Sequence, residues 1–350
     1  MAIRLSIIVA CRNEADAIRE FLDSLLRQNL AGIGWEAIIA DGMSDDGTRR
    51  ILDEYAARDN RIRVIENPGR IVSTGLNSAI RMARGEIVVR MDGHTSYAPN
   101  YCRVCLETLL RTGAENVGGP ARTHEAAGLA RAVAIAYHSP FSTGGARFHN
   151  PDYEGPVDTV PYGCWRKSTL VDLGYFDETL VRNQDDELNL RLIRRGGVIW
   201  QNPAIVSWYW PRARLGALFR QYFQYGYWKV AVIRKHRIPG SWRHLAPATF
   251  TITNILLPLA ALAAEAMGER GMAKITLAWW LSLVALYSLA TFAASFRCSR
   301  NNWRLFHYFP VIFATFHFSY GAGFLSGLAR LMQRRPHSLS STSVFAKITR

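Results

Sequence analysis

Between residues 5 and 91 the apolar pattern switches repeatedly between a period of two and one of about 3.6, and that alternation narrows the possible folds more than any other feature of the chain. Residues 5–10 form a short β-branched run. From 13 to 28 the apolar residues fall at helical spacing, at Ile18, Phe21, Leu22, Leu25 and Leu26. Residues 36–40 read as a strand, 41–47 as a polar turn and 48–58 as a helix; 61–65, 72–83 and 86–91 then read as strand, helix and strand. Such a β-α-β-α-β-α-β order with short connections predicts an α/β fold on a Rossmann-like, mostly parallel sheet covered on both faces. Ligands of these sheets bind beyond the carboxyl ends of the strands. Residues 11–14, 41–46 and 92–94, each just past a strand, should therefore converge on one crevice. Further on, 118–163 reads as loops with one helix around 126–137, 188–195 as a short helix, 198–200 and 205–208 as strands, and 215–234 as an aromatic helix.

Three long apolar segments close the chain, at 245–264, 275–296 and 307–329. Each is long enough to cross a bilayer, although the first contains two prolines and Asn254 and the third His317, Tyr320 and several glycines. From residue 245 onward ten Lys/Arg against two Asp/Glu carry +8 of the formal +14, the balance of a chain facing an anionic lipid surface. The positive-inside rule sets Arg297, Arg300 and Arg304 on the same side as the N-terminal domain, which two crossings achieve. A third would carry Arg330, Arg334, Arg335 and Lys347 across, so 307–329 is expected to be re-entrant or to lie along the interface. The linear division is then a catalytic domain at 1–240, a membrane region of two or three apolar helices at 241–335 and a basic tail at 336–350. The first residues carry too short an apolar run for a secretory signal, and the five cysteines at 11, 102, 105, 164 and 298 are odd in number and scattered, as in a reducing compartment. The expected location is the inner (cell) membrane with the catalytic domain in the cytoplasm. Cys102-x-x-Cys105 has no second pair to complete a zinc site and reads as packing. No basic run interleaves with aromatics in the first 240 residues, which sets nucleic-acid binding aside.

Three clusters can carry chemistry. In the turn Asp41-Gly-Met-Ser-Asp-Asp-Gly-Thr48, Asp45 and Asp46 suit capping of the next helix, whereas Asp41 comes too early to cap and is the better candidate to accept hydrogen bonds from a base or ribose. In Asp92-Gly-His94 a carboxylate and an imidazole two residues apart could meet one cation, with Gly93 allowing a phosphate close approach. Such a pair suits Mn²⁺ or Mg²⁺ with substrate oxygens completing the shell. Asn183-Gln-Asp-Asp-Glu187 opens a helix with more carboxylates than capping needs, and one of them could be a general base. Trp165 could stack on an acceptor sugar or fill the core.

Taken together these blocks resemble glycosyltransferase family 2. Ser6-Ile-Ile-Val-Ala-Cys-Arg-Asn-Glu14 is similar to the family's opening strand, with Ala10 where proline is common, and Asp41…Asp46-Gly-Thr48 is similar to its acidic turn. Asp92-Gly-His94 resembles the Asp-x-Asp metal motif with His in third place, and Gln184-Asp185 the Glu-Asp motif with Gln for Glu. The resemblance implies a GT-A fold over about residues 3–235, a nucleotide site drawing on Ala10, Arg12, Glu14, Asp41 and Asp92, a metal at Asp92 and His94, and Asp185 as base. Gln184 leaves open whether Asp185 or Asp186 is the working carboxylate; Asp186 and Trp165 are the acceptor-side candidates. Arg90-Met-Asp-Gly-His-Thr95 and the apolar tail are more narrowly similar to the succinoglycan-type exopolysaccharide transferases, which implies a UDP-sugar donor, a lipid-linked saccharide acceptor and a membrane partner. The processive signature Gln-x-x-Arg-Trp is absent, since Gln221-Tyr-Phe-Gln-Tyr225 lacks its end, and single additions are implied. A polyprenyl-phosphate sugar transferase and a non-catalytic membrane subunit are the rivals. A nucleotidyltransferase would need a glycine-rich phosphate loop where Cys11-Arg-Asn-Glu14 stands.

Overall fold

A computed structural model describes residues 2–333; the expected tail at 336–350 lies outside them. The chain forms two compact units. The first joins the N-terminal residues through His124 to the segment Ala146–Trp210, and the second joins Glu125–Gly145 to the described residues 211–333. The aromatic helix of 215–236 therefore groups with the apolar C-terminal helices.

The first unit is built on strands β1 (Ile3–Cys11), β2 (Gly34–Asp41), β3 (Ile62–Glu66) and β4 (Ile87–Arg90), with helices α1 (Ile18–Leu26), α2 (Thr48–Arg58) and α3 (Val72–Met82) between them. These strands pair in parallel in the order β3-β2-β1-β4. Alternation across the sheet decides which face each side chain serves. Ile7, Val9, Ile39 and Val89 pack with α1 and with α4 (Tyr101–Thr112), whereas Ile8, Ile38 and Val88 pack on the other face with α3. Both faces are covered, so the strands read as near-continuous apolar runs.

Beyond β4 the sheet changes direction. β6 (Asn116–Gly118), β7 (Gly155–Val157), β8 (Cys164–Arg166) and β9 (Ile199–Gln201) extend it to eight strands in the order β3-β2-β1-β4-β8-β6-β9-β7, with β8 antiparallel to both β4 and β6. Four of the seven neighbour pairings are parallel. Within the stretch 118–163 that reads as loop, β7 is a strand of only three residues, too short for a hydrophobic period to register. Two helices on this side, α7 (Lys167–Leu173) and α8 (Gln184–Arg194), complete the second face. Helix α8 starts four residues before its apolar stretch because Asp185, Asp186 and Glu187 occupy the first turn, where negative charge favours the helix dipole. A small hairpin-like sheet pairs β5 (Thr95–Tyr97) with β10 (Ser207–Tyr209). Cys102 and Cys105 lie in the core with no exposed surface, as packing residues.

The second unit contains α5 (Gly128–Tyr137), the short α6 (Pro140–Thr143), α9 (Leu215–His236), α10 (Ala246–Ala266), α11 (Arg270–Ser299) and α12 (Phe309–Met332). Three of its helical stretches, Trp242–Ala266, Arg270–Ser299 and Trp303–Met332, are long and apolar enough to cross a membrane. The last runs unbroken through the 24 residues of α12, which does not match a re-entrant turn and leaves the interfacial alternative as it stood. Helix α11 turns apolar side chains outward along much of its length, while α12 is enclosed by its neighbours. Glycines allow that enclosure: a Cβ at Gly226 of α9 would strike the Tyr320 carbonyl, and one at Gly323 of α12 the Phe223 carbonyl. Such backbone contact between small residues is how helices associate where lipid removes the hydrophobic drive. Several polar groups in these helices are met within the unit, while Thr251 Oγ1 and the Trp228 indole are buried with no hydrogen-bond partner among the described residues. The His317 ring bonds the Tyr287 hydroxyl at 3.0 Å and the Phe141 carbonyl at 2.9 Å, and Asn254 accepts from the Trp280 indole at 3.3 Å.

Candidate active site

Parallel pairing brings the three N-terminal segments to one edge. Cys11 stands opposite Asp41, Ile8 opposite Arg90, and the Met91 amide donates to the Ile8 carbonyl at 3.0 Å. The segment after β1 does not continue as helix, and the reason is local. Asn13 takes a positive φ of 53°, and the amides of Asn13, Glu14 and Ala15 donate to Ser44 Oγ (3.0 Å), Thr48 Oγ1 (2.8 Å) and Asp46 (3.0 Å). These side chains take the place of helical acceptors, and α1 begins only at Ile18. Asn13 and Asp45 add a reciprocal pair at 2.9 and 3.1 Å. Asp46 accepts from the Thr48 amide at 2.9 Å, in line with its expected capping role.

Asp41 is buried, and its carboxylate accepts from the Ser44 amide at 3.3 Å and from the Ser44 hydroxyl at 2.5 Å. It thus shapes the turn and keeps lone pairs for a ligand. Arg12 lies along Gly42, where a Cβ would meet the Arg12 side chain, and its Nε is buried without a hydrogen-bond partner among the described residues. Ala10 packs beside Gly75 and Ala40, and so offers only its backbone to this edge. The Cys11 thiol is pushed up by burial, then by the charges of Asp41, Glu14 and Asp46, which registers how closely the carboxylates crowd.

The strand β4 ends on the central ion pair. Arg90, 5% exposed, donates Nε and Nη2 to the two oxygens of Asp92 at 3.0 and 3.1 Å, a fork geometry that fixes the carboxylate in plane. The Tyr97 hydroxyl accepts from the Asp92 amide at 2.7 Å. Two residues on, His94 is partly exposed, and its Nδ1 lies 3.1 Å from the Glu14 carboxylate. A carboxylate behind one ring nitrogen is the usual way a metal-binding imidazole is oriented, leaving the other nitrogen for the cation. Gly93 serves packing, since a Cβ there would press on Ile18.

The third cluster reaches the same place through Arg90. Burial works against the guanidinium charge, but Asp92 first and Asp185 next hold it, and its pKa is raised. Reciprocally, burial and then the Asp186 charge raise the Asp185 pKa, and Arg90 offsets them in part. Asp185 accepts from the Asp186 amide at 2.9 Å. The helix that carries both begins after Asn183, at φ 60°, and is tied down by Arg191, which pairs with Glu187 at 2.7 Å and donates to the carbonyls of Leu173 and Tyr175. Asn13, Met43, Tyr162 and Asn183, four of the seven non-glycine residues at positive φ, adjoin these clusters, as strained residues do at functional sites.

Trp165 takes the second of its two readings and not the acceptor-side one. It is 1% exposed on β8, edge-on to Phe176 in the core face lined by α3, α7 and α8. A ring with no open face cannot stack on a sugar, so Trp165 is a core residue. Arg90 is the residue that sequence reasoning left without a role. Its signal was there: a charged residue closing an apolar strand, two positions before Asp92 and so on the same side.

A mixed α/β sheet with carboxylates gathered past its parallel strands is the architecture of the GT-A class of sugar-nucleotide transferases. The sequence profile of glycosyl transferase family 2 matches residues 6–170, and a succinoglycan biosynthesis protein of Rhizobium meliloti, ExoA, is 32% identical over 243 residues, covering 69% of this chain and 73% of that one. The chain belongs to glycosyltransferase family 2. A second relative is a dolichyl N-acetyl-α-D-glucosaminyl phosphate 3-β-D-2,3-diacetamido-2,3-dideoxy-β-D-glucuronosyltransferase of Methanococcus voltae, 27% identical over 72% of this chain and 81% of its own length. Among solved structures, the mannosyltransferase PcManGT of Pyrobaculum calidifontis, in complex with GDP-Man and Mn²⁺, superposes with a TM-score of 0.60 at 20% identity, over 94% of this chain and 88% of that one. That likeness is one of fold.

Proposed function

We propose that this glycosyltransferase is an inverting, metal-dependent hexosyltransferase, with UDP-glucose as the first donor to test and a lipid-linked saccharide of exopolysaccharide synthesis as acceptor. The observation that carries the reading is the fork from Arg90 to Asp92, beside His94, with the Asp185 charge acting on the same guanidinium. A donor side and a base are thereby held within one charged cluster. Among the relatives, one is named for succinoglycan biosynthesis and another for transfer to a dolichyl-phosphate-linked sugar, which supports a lipid-linked acceptor. The apolar helices of the second unit fit a membrane-held substrate, with the catalytic unit on the cytoplasmic face of the inner membrane.

Two titratable donors suit a divalent cation here, His94 through the ring nitrogen not facing Glu14 and Asp92 through the lone pairs not spent on Arg90. Two such donors leave the rest of the shell of Mn²⁺ or Mg²⁺ to be completed by substrate phosphates. Such an ion neutralises charge developing on the departing nucleoside diphosphate. The remaining chemistry belongs to the chain. Asp41 and Arg12 hold the nucleotide at the ends of β1 and β2. Asp185 accepts the proton of the acceptor hydroxyl as that oxygen attacks the anomeric carbon, its raised pKa making it a stronger base than a surface aspartate. Asp186, next to it, orients the acceptor. One base and a direct displacement invert the anomeric configuration, whereas retention with a carboxylate nucleophile needs a second such group across the sugar.

The test is a screen of UDP- and GDP-hexoses against lipid-linked saccharides and polyprenyl phosphates, with product linkage assigned by NMR. A β-linked product from an α-linked donor on a lipid-linked saccharide is expected, abolished by EDTA and restored by Mn²⁺ or Mg²⁺. Undiminished transfer in chelator removes His94 and Asp92 as ligands, and transfer only to polyprenyl phosphate replaces the acceptor assignment. Glu14→Gln is expected to raise the metal concentration for half-activity about 10- to 100-fold; an unchanged requirement would remove Glu14 from its place behind His94.

A further inference from the structure

The hydrogen bonds of Arg90 are incomplete in a way that its ion pair does not explain. Nε and Nη2 are spent on Asp92, the backbone N–H donates to the Gly163 carbonyl at 3.0 Å, and the Tyr162 ring lies 6.0 Å from the guanidinium carbon. Nη1 is buried and has no hydrogen-bond partner among the described residues. Leaving a buried donor unmet costs about 1–3 kcal/mol. Native structures keep such groups chiefly where water, an ion or a ligand supplies the acceptor. An arginine needed only to neutralise Asp92 could do so with its fork and turn the third nitrogen to water. This one is held rigidly in the interior on the last residue of β4, at the carboxyl edge where ligands of such sheets bind.

Resting on the transferase reading above, we propose that Arg90 is a donor-binding residue: its Nη1–H donates to an oxygen of the nucleotide-sugar, on the pyrophosphate or on the sugar, while its fork keeps Asp92 in place. A guanidinium suits this because it presents N–H groups in three directions from one plane; lysine keeps the charge and loses that geometry. The interaction is with the donor directly, so it should survive the removal of the Asp92 charge.

The experiment measures binding of UDP and UDP-glucose by calorimetry in detergent with Mn²⁺, for the wild type, Arg90→Lys, Asp92→Asn and the double variant, each first checked for native thermal unfolding. Arg90→Lys is expected to weaken UDP-glucose binding about tenfold or more, as loss of a charge-assisted hydrogen bond does, in both the wild-type and the Asp92→Asn backgrounds. Equal weakening of UDP places the oxygen on the pyrophosphate, and an effect confined to UDP-glucose places it on the sugar. The proposal is overturned if folded Arg90→Lys binds both within about threefold of wild type, or if its effect vanishes in an Asp92→Asn protein that itself still binds UDP-glucose, since Arg90 would then act only through its partner. Should Arg90→Lys not fold, Arg90→Gln, which keeps an N–H donor without charge, is read against the same limits. A wild type that binds neither UDP nor UDP-glucose would overturn the donor assignment itself, which is a result distinct from either.

Discussion

Asp185→Asn is expected to lower turnover by about 10³-fold, within the range a positioned general base contributes, while the nucleotide-sugar still binds. It is also expected to make the protein more stable at neutral pH, and the two effects share one cause. Burial, then the neighbouring Asp186 charge, raise the Asp185 pKa, and Arg90 only partly counters them. The folded protein therefore keeps this proton to a higher pH than the unfolded chain does. Stability contributed by the protonated carboxyl is present at acid pH and is lost as pH rises from the unfolded carboxylate's range through the raised folded value. Above that value the native state carries the cost of a half-buried charge beside a like charge, which asparagine removes. Thermal unfolding of the two proteins should diverge at neutral pH, the variant unfolding higher, and converge where Asp185 is protonated in both states. The same titration governs catalysis in the opposite sense: transfer falls as pH drops through the raised value, because the base is then occupied. Turnover near the wild-type rate would take the base role from Asp185, and a variant less stable at neutral pH would contradict the electrostatic account.

Gly323→Leu is expected to disrupt the second unit rather than adjust it. At Gly323 an added Cβ meets the Phe223 backbone, and at Gly226 the Tyr320 backbone, so no rotamer change relieves the overlap and α9 must move off α12. Overpacking of this kind costs about 3 kcal/mol. Gly271→Leu is the control, because it lies near the start of α11 and a Cβ there meets nothing within 4 Å. Monodisperse yield in detergent and protease resistance should fall sharply for Gly323→Leu and stay unchanged for Gly271→Leu. Equal behaviour of the two would show that the close crossing is not what holds these helices together.

Residue type and period carry the half-sheet β3-β2-β1-β4, its helices and the apolar spans, since runs of five or more residues with a clear face can be read locally. The positions of Asp41, Asp92 and His94 at or just past strand ends, and of Asp185 near the start of a helix, were equally legible. What the sequence by itself could not determine depends on atoms far apart along the chain. The three-residue strands β6, β7 and β8 exist only because the sheet edge at β4 and each other's backbones supply hydrogen-bond partners. Trp165 reads as readily for a sugar platform as for core, and only the layer of α3, α7 and α8 over β8 makes it core. The pairing of Glu14 with His94 spans 80 residues, and the action of the Asp185 charge on Arg90 spans more. Local propensity depends on neighbours in sequence, whereas these electrostatic arrangements arise only once the closed sheet brings the strand ends together and removes water from around them.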